Sequence, residues 1–501
     1  MTLPDTEAPA TAAPIYVFDM AALETALANE GIKAHKHSEN VLRHLVTAHG
    51  HPAAGPISAD LHEVDWSLVP NLPKKAVTLL RERAALATNV AEVSTSSDSN
   101  TSKLLVRIRR SGTLVETVIM HYDRRDTHDP LQEPGPVATV LGAADDENDD
   151  TVSIASASTA AAAAASAARR NLKPRTAVCI SSQVGCKMAC TFCATGTMGF
   201  KAHLSPAEIA EQIFHANRVR KVNSVIAMGM GEPFDNYDNV VAAIHVMTNR
   251  RVFALGEGSI CVSTVGVVPK IKQFMIDCPG VKLALSLHAP NQELRNTIVP
   301  SAKVYRLDML LDAVDQYLTL NKRIMIEYIL IRNINISPAL AHELGELLKD
   351  RSVILNLIPY NPTDTGETFE APLPEEVEEF NRILVTDYSV RTTVRRTMGQ
   401  DIDGACGQLV VKATRANKSG DLEDLAGNDA VLSSSISGEP AAKRGRVIRR
   451  NAATSDASAD RDRSPSPEAA DPWRSLLPRF AAGVAGVLVA RLVWKVMLRR
   501  A

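Results

Sequence analysis

The sequence predicts an α/β fold, an open, partial barrel of βα units between Pro174 and about Lys412, preceded by a small helical domain and a β-hairpin. Three observations predict it. Short β-rich runs alternate with amphipathic helical segments, the pattern of parallel strands joined by crossover helices. The conspicuous polar motifs fall at the ends of those runs, where barrels of this type carry their chemistry. Low-complexity stretches interrupt and follow the pattern, and so mark its limits.

Each part follows from its residues. The opening "MTLPDTEAPATAAPI" has no basic residue and no apolar core, so residues 1–15 read as a loose leader and as neither a secretory signal nor an Arg-rich transit peptide. Apolar residues then recur at three- and four-residue spacing, which predicts a helical accessory domain over 16–92 with its helices ending near Leu86. "STSSDSNTSK" reads as a linker, and alternation on either side of Ser111-Gly112 predicts a hairpin over 102–121. "GAADDENDD" and "SASTAAAAAASAA" make 122–173 a disordered insertion. Seven β-rich runs, from "TAVCISS" to "SVRTTVRR", give the strands of the core, 174–412, and Ser205-Pro206-Ala207-Glu208 gives one helix start. Residues 413–474 read as a disordered tail. The final 475–501 reads as an apolar and basic helix whose uninterrupted part, Phe480 to Ala490, is short for a bilayer, leaving an anchor or an interfacial helix open.

Composition excludes some classes. A net charge of −2 rules out a globally basic nucleic-acid binder, so any RNA contact must use local basic groups such as Arg218, Arg220 and Lys221, Arg395 and Arg396, or the hairpin's "RIRR". Seven cysteines, four of them between Cys179 and Cys193, argue against a secreted disulfide framework and for thiols reserved for metal or catalysis.

Cys186, Cys190 and Cys193 form C-x3-C-x2-C on one loop. Structural zinc takes four ligands, generally from two knuckles, and no second knuckle is present; a ferredoxin cluster also wants a fourth cysteine at other spacings. Three ligands leave one iron of a four-iron cluster open to a substrate. This spacing resembles that of the radical S-adenosylmethionine (SAM) superfamily, in which SAM chelates the open iron. Later motifs fit the same resemblance. "MGMGEP" offers Gly231 for close backbone approach and Glu232 as an acceptor for the SAM ammonium; Ser263, then Ser286, Leu287 and His288, and finally Asn361 lie at successive strand ends.

The words "VETVIM", "CISSQVGCKMACTFCATGTMGF", "MGMGEP", "LSLHAPNQELRNTIVP", "NLIPYNP" and "DIDGACGQL" resemble more closely one family, the radical SAM methyltransferases of adenine C2 in ribosomal and transfer RNA. The resemblance implies a radical SAM barrel, one [4Fe-4S] cluster on Cys186, Cys190 and Cys193, two SAM molecules per turnover, an rRNA or tRNA substrate, and an electron donor such as flavodoxin or ferredoxin. It also implies roles for the other thiols. Cys406 takes a methyl from the first SAM; a deoxyadenosyl radical from the second removes hydrogen from that methyl; the carbon adds to C2; and Cys179 resolves the protein–RNA adduct as a disulfide. Glu116 matches the proton acceptor, with Cys179 as a competitor for that proton. Gly404 and Gly407 give the Cys406 loop backbone freedom, while Cys261 and Cys278 read as ordinary buried thiols.

The chain departs from the family at Ala202-His203, in place of Arg-Asn, and at Val265 in "STVG". Two rivals stand beside this reading: the sister methylation at adenine C8, and a non-catalytic iron–sulfur RNA-binding protein. A monomer in the cytoplasm or an organelle is expected, with membrane attachment through 475–501 as an open possibility.

Overall fold

The computed structural model describes residues 13–122, 174–320, 323–363, 365 and 368–409. The expected leader (up to residue 12), insertion, tail and terminal helix lie outside them. So does "KRGRVIRR".

One curved sheet organises the described residues. Its ten strands run in the order β14-β13-β12-β11-β10-β9-β6-β5-β4-β3. The strands β6 (Arg175–Cys179), β9 (Ser224–Ala227), β10 (Ile260–Thr264), β11 (Lys282–Ser286), β12 (Ile324–Leu330), β13 (Val353–Pro359) and β14 (Thr392–Val394) are parallel. They match the seven β-rich runs. Helices between them include Pro206–Val219, where the Ser205 hydroxyl accepts from the Glu208 amide and the Glu208 carboxylate accepts from the Ser205 amide. This is the capping box that the sequence predicts.

On the other side of β6 the sheet becomes an antiparallel meander of β3 (Thr88–Thr95), β4 (Thr101–Ile108) and β5 (Leu114–Tyr122). The hairpin at Ser111-Gly112 is present, with Gly112 at φ 66°. The expected linker is not a linker. Its first residues end β3, and Asp98 builds the turn by accepting from the Ser96 hydroxyl and the Asn100 amide. The strand escaped the sequence reading because "TNVAEVST" is mostly surface and lacks the buried alternation that marks a strand.

The sheet does not close by strand pairing, since β3 and β14 each have one neighbour. Loop contacts bring its two ends together instead. The Ser97 amide donates to Asp401 at 2.8 Å, and Gly399 lies so close to Thr101 that a Cβ there would meet its methyl at 2.5 Å. The loop 399–407, which carries Cys406, is thereby held against β4.

The helices Met20–Asn29, Ala34–His49 and Lys74–Arg83, with the short parallel pair β1 (Ile15–Tyr16) and β2 (Ala84–Ala85), share the hydrophobic core of the sheet. Phe18 packs on Phe214 and Phe253 at ring distances of 5.4 and 5.7 Å. The buried Glu211 carboxylate accepts from the amides of Ala87 and Thr88 and from the Thr88 hydroxyl. Burial nevertheless pushes its carboxyl up to about 8.

Candidate active site

The residues singled out from the sequence collect at the C-terminal ends of the parallel strands, as barrel geometry requires. Cys179 is the last residue of β6, and Met228–Glu232 follow β9. Ser263 lies near the end of β10 and Ser286 ends β11, followed by Leu287 and His288. Asn361 follows β13 and Cys406 lies beyond β14.

The three-cysteine loop starts from a backbone that only glycine permits. Gly185 has φ 73°, and a Cβ on it would lie 1.8 Å from the Gly199 carbonyl, to which the Cys186 amide donates at 3.1 Å. This pins the loop on the small sheet of β7 (Gln183–Gly185) and β8 (Phe200–His203). The thiols of Cys186, Cys190 and Cys193 sense one another, and burial raises all three: Cys186 to about 12 and Cys190 well above the usual thiol range. None is in a disulfide. Desolvated thiols gain most from a positively charged partner that ionises them. Among the described residues no three Cys, His, Asp or Glu side chains meet closely enough to chelate a single ion. Three soft thiol donors spread over one loop suit a multi-iron cluster, and these three could hold one.

The rim beside this loop is polar but tightly bonded. Gly231 has φ 97°, and a Cβ there would strike the Gln183 side chain at 2.5 Å. Glu232 is 3% exposed; its two oxygens accept from the amides of Phe234 and Val265 at 2.9 Å each, while burial pushes it up to about 7. The hydroxyls of Ser263 and Ser286 are 3.3 Å apart. His288, at φ 64°, accepts on Nδ1 from the Ile329 amide and sets its ring against Phe192; burial lowers it to about 3, so the ring is neutral. Leu287 is fully buried, and its amide donates to the Glu327 carbonyl.

The two catalytic thiol candidates come together. Burial, then the nearby Cys406 sulfur, push the Cys179 thiol up to about 12. Cys193 senses the same Cys406 sulfur. The Cys406 loop docks on the cysteine loop through the Ala194 amide, which donates to the Gly407 carbonyl at 2.8 Å. The Asn361 amide nitrogen donates to the Cys406 carbonyl at 3.3 Å. Glu116, 4% exposed on β5, pairs with Lys103 at 3.3 Å.

The sequence did not show which way several basic side chains turn. Arg395, expected at phosphates, instead turns inward, with its guanidinium 3.9 Å from the sulfurs of both Met120 and Met228. The Cys406 sulfur is the largest influence on it and raises it, with Glu327, Tyr122 and Cys179 acting the same way against burial. Other expected phosphate contacts also serve the fold. Arg218 donates to the carbonyls of His49 and Gly55, Arg109 binds Asp60, and Arg110 binds Glu208. Arg295, inside "LSLHAPNQELRNTIVP", is fully buried and donates to the carbonyls of Leu287, Val265 and Ser286, stapling two strand ends. Arg295→Met should therefore destabilise the protein by roughly 3 kcal/mol, because each buried acceptor left unpaired costs about 1–3 kcal/mol. An unchanged denaturant midpoint would show that the staple carries no stability.

Comparison with known proteins agrees with this geometry. The Radical SAM superfamily model matches residues 180–343. A probable dual-specificity RNA methyltransferase RlmN 2 from Protochlamydia amoebophila (strain UWE25) is 44% identical over 244 residues, covering 48% of this chain and 68% of that one. The ribosomal RNA large subunit methyltransferase N of Nitrosopumilus maritimus (strain SCM1) is 35% identical over 353 residues, 69% of this chain and 87% of that one. Among solved structures, a radical SAM methyltransferase from Sphaerobacter thermophilus superposes with a TM-score of 0.61 at 30% identity, covering 79% of this chain and 99% of that one. With the three-cysteine loop, the strand-end motifs and these relatives in agreement, the chain belongs to the RlmN family of radical SAM RNA methyltransferases.

Proposed function

We propose that the protein methylates C2 of adenine in rRNA, tRNA or both, through a methyl group first carried on Cys406. The observation that carries this reading is the docking of the Cys406 loop on the three-cysteine loop through Ala194 and Gly407, which leaves the Cys406 sulfur near enough to Cys179 to act on its thiol although the three lie on separate stretches of chain. A route using two thiols in turn needs that proximity.

Cys186, Cys190 and Cys193 would hold the cluster, which when bound supplies the electron that splits SAM. Gly231, Glu232, Ser263, Ser286, Leu287, His288 and Asn361 shape the adjoining SAM site. There Glu232 offers its remaining lone pairs to the SAM ammonium and Asn361 keeps the Cys406 loop in reach. Cys406 accepts a methyl from one SAM. After that methyl loses a hydrogen atom to the radical made from a second SAM, its carbon bonds adenine C2, and one electron passes from the adduct to the oxidised form of the flavodoxin- or ferredoxin-type carrier. Glu116 takes the C2 proton. Cys179 then attacks the Cys406 sulfur: the S–S bond forms, the C–S bond breaks, and the electron pair stays on carbon, which gains a proton to become the methyl group. A dithiol reductant restores both thiols.

The electron comes from a flavodoxin- or ferredoxin-type donor, and one copy of the chain holds every residue used. Among the described residues no helix is long and apolar enough to cross a membrane. The test is nucleoside mass spectrometry of rRNA and tRNA from a bacterial host lacking its own enzyme. Wild type should yield 2-methyladenosine, and Cys190→Ala none. Appearance of 8-methyladenosine alone would assign the sister activity, and neither nucleoside from cluster-loaded protein would favour a non-catalytic role.

A further inference from the structure

Lys103 lies on β4 with its side chain largely withdrawn from solvent, an environment that Lys avoids unless it is paired. Its side chain is 15% exposed and that of Glu116 is 5% exposed, with the ammonium nitrogen 3.3 Å from Glu116 Oε1. Register explains the pairing. Lys103 stands opposite Val118, and Leu105 opposite Glu116, so Lys103 and Glu116 are diagonal neighbours on one face of the hairpin. The same nitrogen lies 3.5 Å from the Asp403 carbonyl, three residues before Cys406. One cation therefore touches both the carboxylate and the loop of the thiol.

We propose that Lys103 is a positioning residue that fixes the Glu116 carboxylate relative to the Cys406 loop, so that the carboxylate meets the C2 proton once the adduct on Cys406 has formed. The inference rests on the role given to Glu116 above. A proton acceptor must lie within hydrogen-bond reach of the proton it takes, and a bridge from strand to loop keeps the carboxylate aligned with the loop that ends in the reacting carbon. Lys103 supplies that coupling because its two contacts lie on the two bodies that must be aligned. It is not the loop's only tether, since Ser97 binds Asp401 and Gly399 packs on Thr101 without it. Removing the ammonium should therefore leave the loop docked and Cys406 able to accept its methyl, while misplacing Glu116. In the affected step the C2–H bond breaks, its proton passes to Glu116, and its electron pair stays in the adenine-derived portion.

The test uses the full chain, anaerobically loaded with cluster, in four forms: wild type, Lys103→Met, Lys103→Arg and Glu116→Gln. Three quantities are read: methyl on Cys406 by intact mass, protein–RNA adduct on a denaturing gel, and methylated product. Lys103→Met is expected to keep Cys406 methylation within about twofold, to lose product by roughly tenfold to a hundredfold, and to accumulate adduct as Glu116→Gln does. Lys103→Arg, whose guanidinium can bridge the same two groups, should recover most of the product. Product formation by Lys103→Met at the wild-type level would overturn the inference. So would parallel loss of Cys406 methylation and adduct, which marks a structural role, or failure of Arg to rescue. If Glu116→Gln itself neither slows product nor builds adduct, the role of Glu116 fails and this inference falls with it. Should Lys103→Met not fold, Lys103→Gln, which retains a donor, takes its place with the same readings.

Discussion

Cys179→Ala is expected to stop product release and to leave the protein covalently joined to its RNA. In the proposed route the adduct on Cys406 is a thioether, which is stable at neutral pH unless a second thiolate takes the Cys406 sulfur. Cys179 is the thiol in position to do so, with the Cys406 sulfur among the influences on it. Product should fall by at least a hundredfold while adduct approaches one per active enzyme. Denaturing electrophoresis with labelled RNA measures both. Loss of product without adduct would place Cys179 before the carbon–carbon bond. The wild type carries a matching pH signature. With the thiol pushed up to about 12, almost none is thiolate at pH 7. Raising the pH toward 12 from below therefore increases the thiolate tenfold per pH unit, and single-turnover resolution of preformed adduct should rise with pH between 7 and 9. A flat profile would mean that proton removal from Cys179 is not limiting.

Cys406→Ala has the other large effect. The substitution leaves the three-cysteine loop and the proposed SAM rim unchanged in sequence, so reduced protein should still cleave SAM, yet no methylated RNA should form because the carbon has no carrier. Removing the thiol leaves the loop's backbone ties in place, since Asn361, Ala194 and Gly399 all bond main-chain atoms. The variant should therefore fold, and its defect should be chemical.

The parts of this site that the sequence revealed are those written in local patterns. The three-cysteine spacing lies on one loop, the glycines at 185 and 231 sit where any Cβ would collide, and the parallel strands are short β-rich runs between capped helices. What the sequence hid depends on which way a side chain turns or on what lies across the sheet. Arg395 and Arg396 are neighbours and both basic, yet Arg395 follows the last strand inward to the two thiols, a direction that composition does not encode. Lys103 is an unremarked lysine until β4 pairs with β5 and sets it diagonal to Glu116. The third strand of the meander was missed because its surface-facing residues carry no hydrophobic period. Arg295 lies in the same word as two of its carbonyl partners, Ser286 and Leu287, but the third, Val265, belongs to another strand end that the word does not contain.

The central claim is that the methyl group travels through Cys406, and a labelled single turnover tests it most directly. Cluster-loaded protein is first incubated with SAM carrying a labelled methyl group, freed of that SAM, and then given RNA, reductant and unlabelled SAM. The account predicts labelled 2-methyladenosine in the first turnover and none from Cys406→Ala treated in the same way. Unlabelled product in the first turnover, or methylation by Cys406→Ala, would contradict it.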